Sequence, residues 1–140
     1  MEELRRARPA AVLVALAAAG TLLLVPDARA ERRCEEPAEL TGRICSVEEC
    51  ILLSDAVHAP DACGGVSSCE DISGCELLQA MRQKWLNCYT RRITVNARCW
   101  SNFDLDHQWQ AAEAIRHVGV CDERMKLPRP EGCADPCPEE

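Results

Sequence analysis

The stretch "SGCELLQAMRQKWLNCYTRR", residues 73–92, contains the strongest secondary-structure signal in this chain. Its apolar side chains recur at intervals of three and four residues, at Leu78, Met81, Trp85 and Cys88. This is the period of an amphipathic helix, which we predict from about Gly74 to Arg92, because the β-branched run at 93–95 disfavours its continuation. Ser73, with Glu76 three residues later, has the spacing of a capping box at the start of this helix.

A second amphipathic helix is predicted from about Asp104, whose carboxylate can cap it, to Gly119, which suits the position just after a helix. Its apolar stripe comprises Leu105, Trp109, Ala112 and Ile115. Trp109 and Trp85 are therefore expected in the core between the two helices. About eleven residues separate the helices, and the simplest arrangement of such a pair is an antiparallel hairpin. A hairpin centred near residue 98 places Cys75 beside Cys121, which predicts a disulfide between them.

A shorter helix is predicted earlier in the chain. Ser46 and Glu49 have capping-box spacing ahead of "CILLSDAV", and Pro60 ends the helix near Ala59. The segments outside the helices lack a sustained period, and cysteines are expected to pin them: Cys34 and Cys45 in the lead-in, Cys133 and Cys137 in the proline-rich tail at 122–140. We therefore predict a single all-α domain over residues 31–140, stapled by disulfides around an antiparallel helix hairpin, with irregular terminal segments.

The amino terminus predicts export. A basic start is followed by an apolar run from Ala10 to Val25 and by small residues at Ala28 and Ala30, the layout of a cleavable secretory signal. We predict cleavage after Ala30, which leaves residues 31–140 in the periplasm or outside the cell. The alternative is a membrane anchor, but sixteen apolar residues are fewer than the roughly 20 that span a bilayer. No stable membrane insertion is expected after cleavage.

All eleven cysteines lie in residues 31–140, a density typical of an exported disulfide scaffold. None of them forms a C-x-x-C pair, the spacing that zinc ribbons and thioredoxin-like sites usually require. We therefore expect neither a metal nor another cofactor. Because the count is odd, at least one thiol is either free or bonded to another molecule.

The charge of the chain disfavours one class of partner. A formal net charge of −7 gives no long-range attraction to nucleic acid or to anionic lipid. One basic patch does occur, formed by Arg82, Lys84, Arg91, Arg92 and Arg98. It is either a solvated helix face or an anion-binding surface, in which Arg91 and Arg92 are the candidate anion ligands.

Asp104 and His107 are the candidate catalytic residues. Three residues apart on a helix, the aspartate can orient the histidine and raise its basicity, as a general base requires. We place His107 on the polar side of its helix, and the alternative is an exposed histidine beside a capping aspartate. No phosphate-binding loop, H-E-x-x-H motif or serine-triad order accompanies this pair.

The order of several residues resembles the polymorphic-toxin domain family called novel toxin 16. They are Cys75, Trp85, Arg91, "CW" at 99–100, Asp104, His107 and Cys121. The resemblance covers residues 75–121 and implies an all-α fold in a bacterial effector, with nuclease action as the suggested activity. It also implies active-site roles for His107 and Asp104, an anion contact by Arg91, and structural roles for Cys75, Cys99 and Cys121. An immunity protein is the partner expected of such a toxin.

Two functions from different classes therefore remain open. In the first, the chain is a secreted effector that hydrolyses nucleic acid, with His107 as the general acid or base. In the second, it is a non-catalytic disulfide-rich module of the envelope or the exterior that binds a protein or a glycan through its helix faces. A cleft that joins His107 to Asp104 and to Arg91 or Arg92 favours the first function, and a solitary, solvated His107 disfavours it.

Overall fold

The computed structural model describes residues 33–135, and the structural statements below refer to that range. The predicted signal segment, residues 1–30, and Cys137 lie outside it. No helix within it combines the length and the apolar character that a membrane crossing requires.

The described residues form a helical, disulfide-rich protein, which confirms the predicted all-α class. Its helices are α1 (Ala38–Thr41), α2 (Val47–Val57), α3 (Cys75–Trp100) and α4 (Leu105–Met125). Two short 3-10 turns, Cys63–Gly65 and Cys69–Asp71, connect α2 to α3. Helix α2 begins as predicted, because the Ser46 hydroxyl accepts the backbone N–H of Glu49 at 3.1 Å. No strand is formed in the described part of the chain, where an isolated bridge joins Pro128 and Ala134.

Helix α3 continues past its predicted end at Arg92 and reaches Trp100. The prediction was wrong because the apolar period continues, and Val95 and Cys99 are both buried on the side that already carries Cys88. The free energy gained by burying these side chains outweighs the low helix propensity of the β-branched run at 93–95. The predicted capping box of Ser73 does not form, since the residue before the helix is Gly74 at φ 101°, without a side-chain cap.

The connection between α3 and α4 is therefore four residues long, not about eleven. It turns through Ser101 and Asn102, which both have left-handed backbone angles, φ 49° and 66°. Asp104 then caps α4 as predicted: its Oδ1 atom accepts the backbone N–H groups of Asp106 at 2.9 Å and His107 at 3.3 Å. So tight a turn makes α3 and α4 an antiparallel hairpin, as expected.

Helix α4 was predicted to end at Gly119, but it continues to Met125. Gly119 is exposed in the helix interior, and a Cβ placed on it meets no atom within 4 Å. We expect Gly119→Ala to raise the free energy of unfolding by about 1 kcal/mol, because alanine loses less conformational entropy in a helix. Urea unfolding of the oxidised protein measures the change.

The control for this substitution is Gly65→Ala. A Cβ at Gly65 meets the carbonyl oxygen of Pro60 at 1.9 Å, so this variant should lose stability. A destabilised Gly119→Ala variant would contradict the continuous helix.

Helix α4 packs on α3 through small side chains instead of its predicted stripe. The buried residues of α4 are Ala111, Ala114, Val118 and Cys121. The predicted stripe points outward: Leu105 is 75% exposed, Trp109 69% and Ile115 42%. The placement of Trp109 in the core was therefore wrong, whereas Trp85 is half-buried and packs with Cys121 and Leu78. Leu105, Trp109, Ala112 and Ile115 are called the outer face below.

Five disulfides tie the described segments together: Cys34–Cys50, Cys45–Cys99, Cys63–Cys88, Cys69–Cys121 and Cys75–Cys133. The predicted Cys75–Cys121 bond was wrong, although Cys75, Cys121 and Cys133 are all disulfide-bonded. Its register assumed a hairpin centred near residue 98, whereas the turn lies at 101–104. The shift brings Asp122, one residue beyond Cys121, against Arg82 at 2.5 Å.

Thiol titration distinguishes the two connectivities. In the Cys75→Ala, Cys121→Ala double variant, Cys69 and Cys133 both lose their partners. We therefore expect two more titratable thiols than in the wild-type protein after denaturation. An unchanged number, together with a peptide map that shows no new Cys69–Cys133 bond, would mean that Cys75 and Cys121 are bonded to each other.

Candidate functional site

A cleft of about 480 Å³ opens beside the turn between α3 and α4. Its volume is within the range of small-molecule sites. Its walls combine apolar and charged side chains, among them Arg33, Trp100, Phe103, Asp104, Leu105 and Asp106. The end of α1 closes one side, through Thr41 and Gly42. The sequence-predicted Asp104 therefore does lie in a cleft.

Asp104 is buried and its carboxylate is fully engaged. One oxygen caps α4, and the other accepts a hydrogen bond from Arg33. The backbone N–H of Asp104 is held by the side chain of the buried Asn96 at 3.2 Å. Burial on its own would raise the pKa of Asp104, but the Arg33 hydrogen bond and the charges of His107 and Arg33 outweigh it and lower the pKa below its usual value. Asp104 is thus an ionised anchor for the turn.

His107 lies inside the fold, not on a solvated polar face. Its ring stacks on Trp100 with 4.6 Å between centroids, and its side chain is 16% exposed. The Nδ1 atom is 3.3 Å from Oδ2 of Asp104, but it is buried and makes no well-aligned hydrogen bond among the described residues. His107 is also absent from the cleft walls formed by those residues. The pair is therefore close, as predicted, but the histidine does not face the cleft.

The structure places the two candidate anion ligands apart. Arg91 forms a two-pronged ion pair with Asp61, at 2.6 and 2.9 Å, and donates to the carbonyl of Ala56 at 2.7 Å. The Arg91 hydrogen bond lowers the pKa of the exposed Asp61 carboxyl. Arg92 donates to the Gln110 side chain, and its charge helps to lower the pKa of His107. Of these two arginines, Arg92 is therefore the one that is electrostatically coupled to the candidate catalytic pair.

Burial is the main reason why the pKa of His107 lies below its ordinary value of 6.5, and it outweighs the opposing attraction of Asp104. The unfolded chain consequently binds a proton more readily than the folded one. We expect stability to fall as the pH drops from about 6.5 towards the lower pKa of the folded state. The pKa of Asp104 is also lower in the folded state, so the free energy of unfolding falls further at more acidic pH, where this carboxyl becomes protonated.

Urea unfolding at pH 7.5 and pH 5.5 tests this expectation. The His107→Gln variant should lose most of the difference between the two pH values. His117→Gln is the matched control, because His117 also stacks on a tryptophan, Trp85, at 4.2 Å and its replacement leaves His107 in place. A His107→Gln variant with the full wild-type pH dependence would contradict the buried neutral imidazole.

The sequence interpretation missed Arg33, which makes three contacts at the site. Arg33 contacts Asp104, approaches Asp106 at 3.7 Å and lies over the Trp100 ring at 5.3 Å. Arg33 adjoins Cys34, and the Cys34–Cys50 bond holds this segment against the core. No local sequence pattern predicts the contact between Arg33 and Asp104, since the two residues are 71 positions apart.

The sulfurs of Cys45, Cys50 and Cys99 lie within 4.8 Å of one another, a spacing that could hold a metal ion. Each of these sulfurs is, however, bonded in a disulfide.

Comparison of the chain with protein-family models, with curated proteins and with solved structures finds no match. Function is therefore inferred from the residues, their order and their geometry.

Proposed function

We propose that this protein is an exported, disulfide-rich module that binds another protein through the outer face of α4. The observation that supports this function is the exposure of Leu105, Trp109 and Ile115 on one helix. Leu105, Trp109 and Ala112 follow at intervals of four and three residues, so they form one continuous stripe. Phe103, 84% exposed at the cleft rim, lies next to the start of that stripe.

Exposed apolar side chains indicate a binding surface when they are contiguous. Single exposed leucines are common, whereas apolar patches larger than a few hundred Å² are rare on proteins that act alone. Tryptophan is also among the residues that contribute most to binding energy at protein interfaces. The buried side of α4 is occupied by small residues, so nothing in the packing of the hairpin requires a tryptophan at position 109. Recognition of a partner accounts for it.

The charges disfavour a nucleic-acid partner. The basic residues of the predicted patch are largely neutralised by neighbouring carboxylates: Arg82 by Asp122, Arg91 by Asp61 and Arg98 by Glu49. Binding a phosphate backbone would require these pairs to break, in a chain whose net charge is already −7. A protein partner needs no such rearrangement.

Site-specific photo-crosslinking in cells that export the protein tests the proposed function. A benzophenone amino acid placed at Trp109 should yield a discrete covalent adduct on irradiation. The matched control is the same probe at Leu52, which is 70% exposed on α2, outside the outer face. Equal labelling from both positions, or none from position 109, would contradict the proposal.

A toxin-like hydrolase is a second candidate function. It is favoured by the 3.3 Å approach of His107 to Asp104 and by the resemblance of residues 75–121 to a polymorphic-toxin domain. Its test is expression inside and outside a susceptible bacterium, with His107→Ala beside the His117→Ala control. Toxicity lost only in His107→Ala supports the hydrolase, and toxicity unchanged in both variants removes His107 from the mechanism.

A further inference from the structure

We propose that Cys45 is a site of covalent modification by thiols, from which disulfide exchange passes through Cys99 and Cys50 and releases Cys34. The products are a mixed disulfide at Cys45, a Cys50–Cys99 bond and a free thiol at Cys34. The exchange frees the segment that carries Arg33, so a thiol from outside the protein changes one wall of the cleft. It is independent of the proposed function, because it concerns the disulfides around α2 and not the outer face.

Three sulfurs from two neighbouring disulfides lie together. The Sγ atoms of Cys45, Cys50 and Cys99, called the sulfur trio below, are within 4.8 Å of one another. Cys45 is bonded to Cys99, whereas Cys50 is bonded to Cys34, so the trio brings two separate bonds side by side. A disulfide exchanges when a thiolate reaches one of its sulfurs and displaces the other. A thiolate formed at Cys99 is therefore already beside the Cys34–Cys50 bond.

The start of α2 explains why these sulfurs meet. Ser46 caps the helix, so Cys45 and Cys50 occupy the two positions whose side chains pack together in a hydrophobic staple. The third sulfur is brought in from the end of α3, where the backbone N–H of Ile44 donates to the carbonyl oxygen of Cys99 at 2.7 Å. The sulfur trio is thus fixed by a local helix-start motif and by one long-range backbone contact.

Exposure decides which sulfur an external thiol reaches first. Cys34, Cys50 and Cys99 are each 1% exposed or less, whereas Cys45 is half-buried. An external thiolate therefore bonds to Sγ of Cys45, and the electron pair of the broken bond leaves on Cys99. Rotation of its side chain lets Cys99 attack Cys50, and the second electron pair leaves on Cys34. Each step forms one S–S bond and breaks one, so the external thiol is the only co-reactant.

A buried positive charge beside the sulfur trio favours the thiolate form. Arg43 is 9% exposed, and its guanidinium donates to the carbonyl oxygen of Cys45. Its Nε atom is buried and has no hydrogen-bond partner among the described residues. A nearby cation stabilises a thiolate relative to the thiol, and the thiolate is the form that attacks a disulfide.

Release of Cys34 loosens the contacts of Arg33, the residue before it. The Arg33 guanidinium binds Asp104 and lies 5.3 Å from the centre of the Trp100 ring, and the Cys34–Cys50 bond holds it there. Without that bond, the same contacts must offset the full entropy of ordering the segment. Modification of Cys45 is therefore expected to detach Arg33 and to widen the cleft.

Incubation of the folded, oxidised full-length protein with reduced glutathione tests the exchange. After an acid quench, free thiols are alkylated, and a glutamyl endopeptidase separates Cys45 from Cys50 by cutting after the glutamates between them. We expect mass spectrometry to find glutathione on Cys45, an alkylated Cys34 and a Cys50–Cys99 bond. This last bond is diagnostic, because direct reduction of the native bonds does not create it. Trypsin should also cleave after Arg33 about tenfold faster or more in the treated protein.

Native pairing of all four cysteines after this incubation would overturn the proposal. So would glutathione on Cys45 beside an alkylated Cys99 and an intact Cys34–Cys50 bond. An unchanged rate of cleavage after Arg33, despite a Cys50–Cys99 bond, would overturn the effect on the cleft.

A Cys45→Ala variant tests the second step alone. It leaves Cys99 without its partner, so a Cys50–Cys99 bond and an alkylated Cys34 should appear without added thiol. Alkylation confined to Cys99 among these three cysteines would contradict the exchange. The glutathione experiment on the wild-type protein decides the matter if this variant does not fold.

The Cys63–Cys88 bond is the matched control for both experiments. It also joins a half-buried cysteine to a buried one, but neither of its sulfurs belongs to the sulfur trio. Glutathione at Cys63, or the Cys63→Ala substitution, should therefore leave the free thiol on Cys88. Transfer of that thiol to another cysteine would mean that exchange does not depend on the trio, and would overturn the proposal.

Discussion

Replacing Cys69 and Cys121 together by alanine should lower the free energy of unfolding by about 4 kcal/mol. The bond joins positions 52 residues apart, so its loss returns a large conformational freedom to the unfolded chain. Both cysteines are fully buried and pack with Leu78 between α3 and α4. The gap left by two missing sulfurs adds to the loss. Urea unfolding of the oxidised protein measures it.

The matched control is removal of the Cys75–Cys133 bond. It spans 58 residues, which gives nearly the same loop-closure entropy, but it fixes the segment after α4 to the start of α3 and both cysteines are half-buried. Without it, the tail can detach while the helix hairpin stays folded, so the native state gains freedom too. We expect a clearly smaller loss of stability than for the Cys69–Cys121 bond. Equal losses would contradict a Cys69–Cys121 bond at the centre of the packing between the helices.

The helices were predictable because their signals are local. The capping oxygens of Ser46 and Asp104 and the apolar period of α3 can be recognised within a few residues of each feature. The helix ends were not predictable, because tertiary burial decided them. Val95 and Cys99 extend α3 by being buried against α2, and Gly119 is tolerated inside α4 because the rest of that helix packs on α3.

The error in the helix ends propagated into the disulfides. The register of a hairpin follows from the position of its turn, so a turn misplaced by a few residues pairs the wrong cysteines. The orientation of α4 failed for a different reason. A large apolar stripe is usually the buried face, but in this protein the inner face carries Ala111, Ala114 and Cys121, and covalent bonds supply cohesion that large side chains usually provide.

The candidate site was only partly predictable. The proximity of Asp104 and His107 follows from their helical spacing, whereas the position of Arg33 depends on a chain segment far away in sequence. That contact changes the role of Asp104, because a carboxylate that caps a helix and binds an arginine has little capacity left for proton transfer. The burial of His107 follows from the stacked ring of Trp100, which the predicted helix boundary had placed in a loop.

Replacing Trp100 by alanine should lower the free energy of unfolding by about 4 kcal/mol, the usual cost of removing a large buried aromatic. Trp100 is 6% exposed at the end of α3 and belongs to the core cluster with Val57, Val95 and Cys99. Its loss also uncovers His107, so the pKa of that imidazole should rise towards 6.5. Urea unfolding measures the first effect, and the pH dependence of the imidazole proton resonances measures the second.

Trp109→Ala is the matched control for this prediction, because it removes the same side chain nine residues later in the chain. Trp109 is 69% exposed, so its replacement should change the stability of the monomer by less than about 0.5 kcal/mol. Measured at concentrations where the protein is monomeric, the two variants separate a tryptophan that holds the fold from one that faces a partner. A destabilised Trp109→Ala monomer would place that indole in the core, and with it the whole orientation of α4 would be wrong.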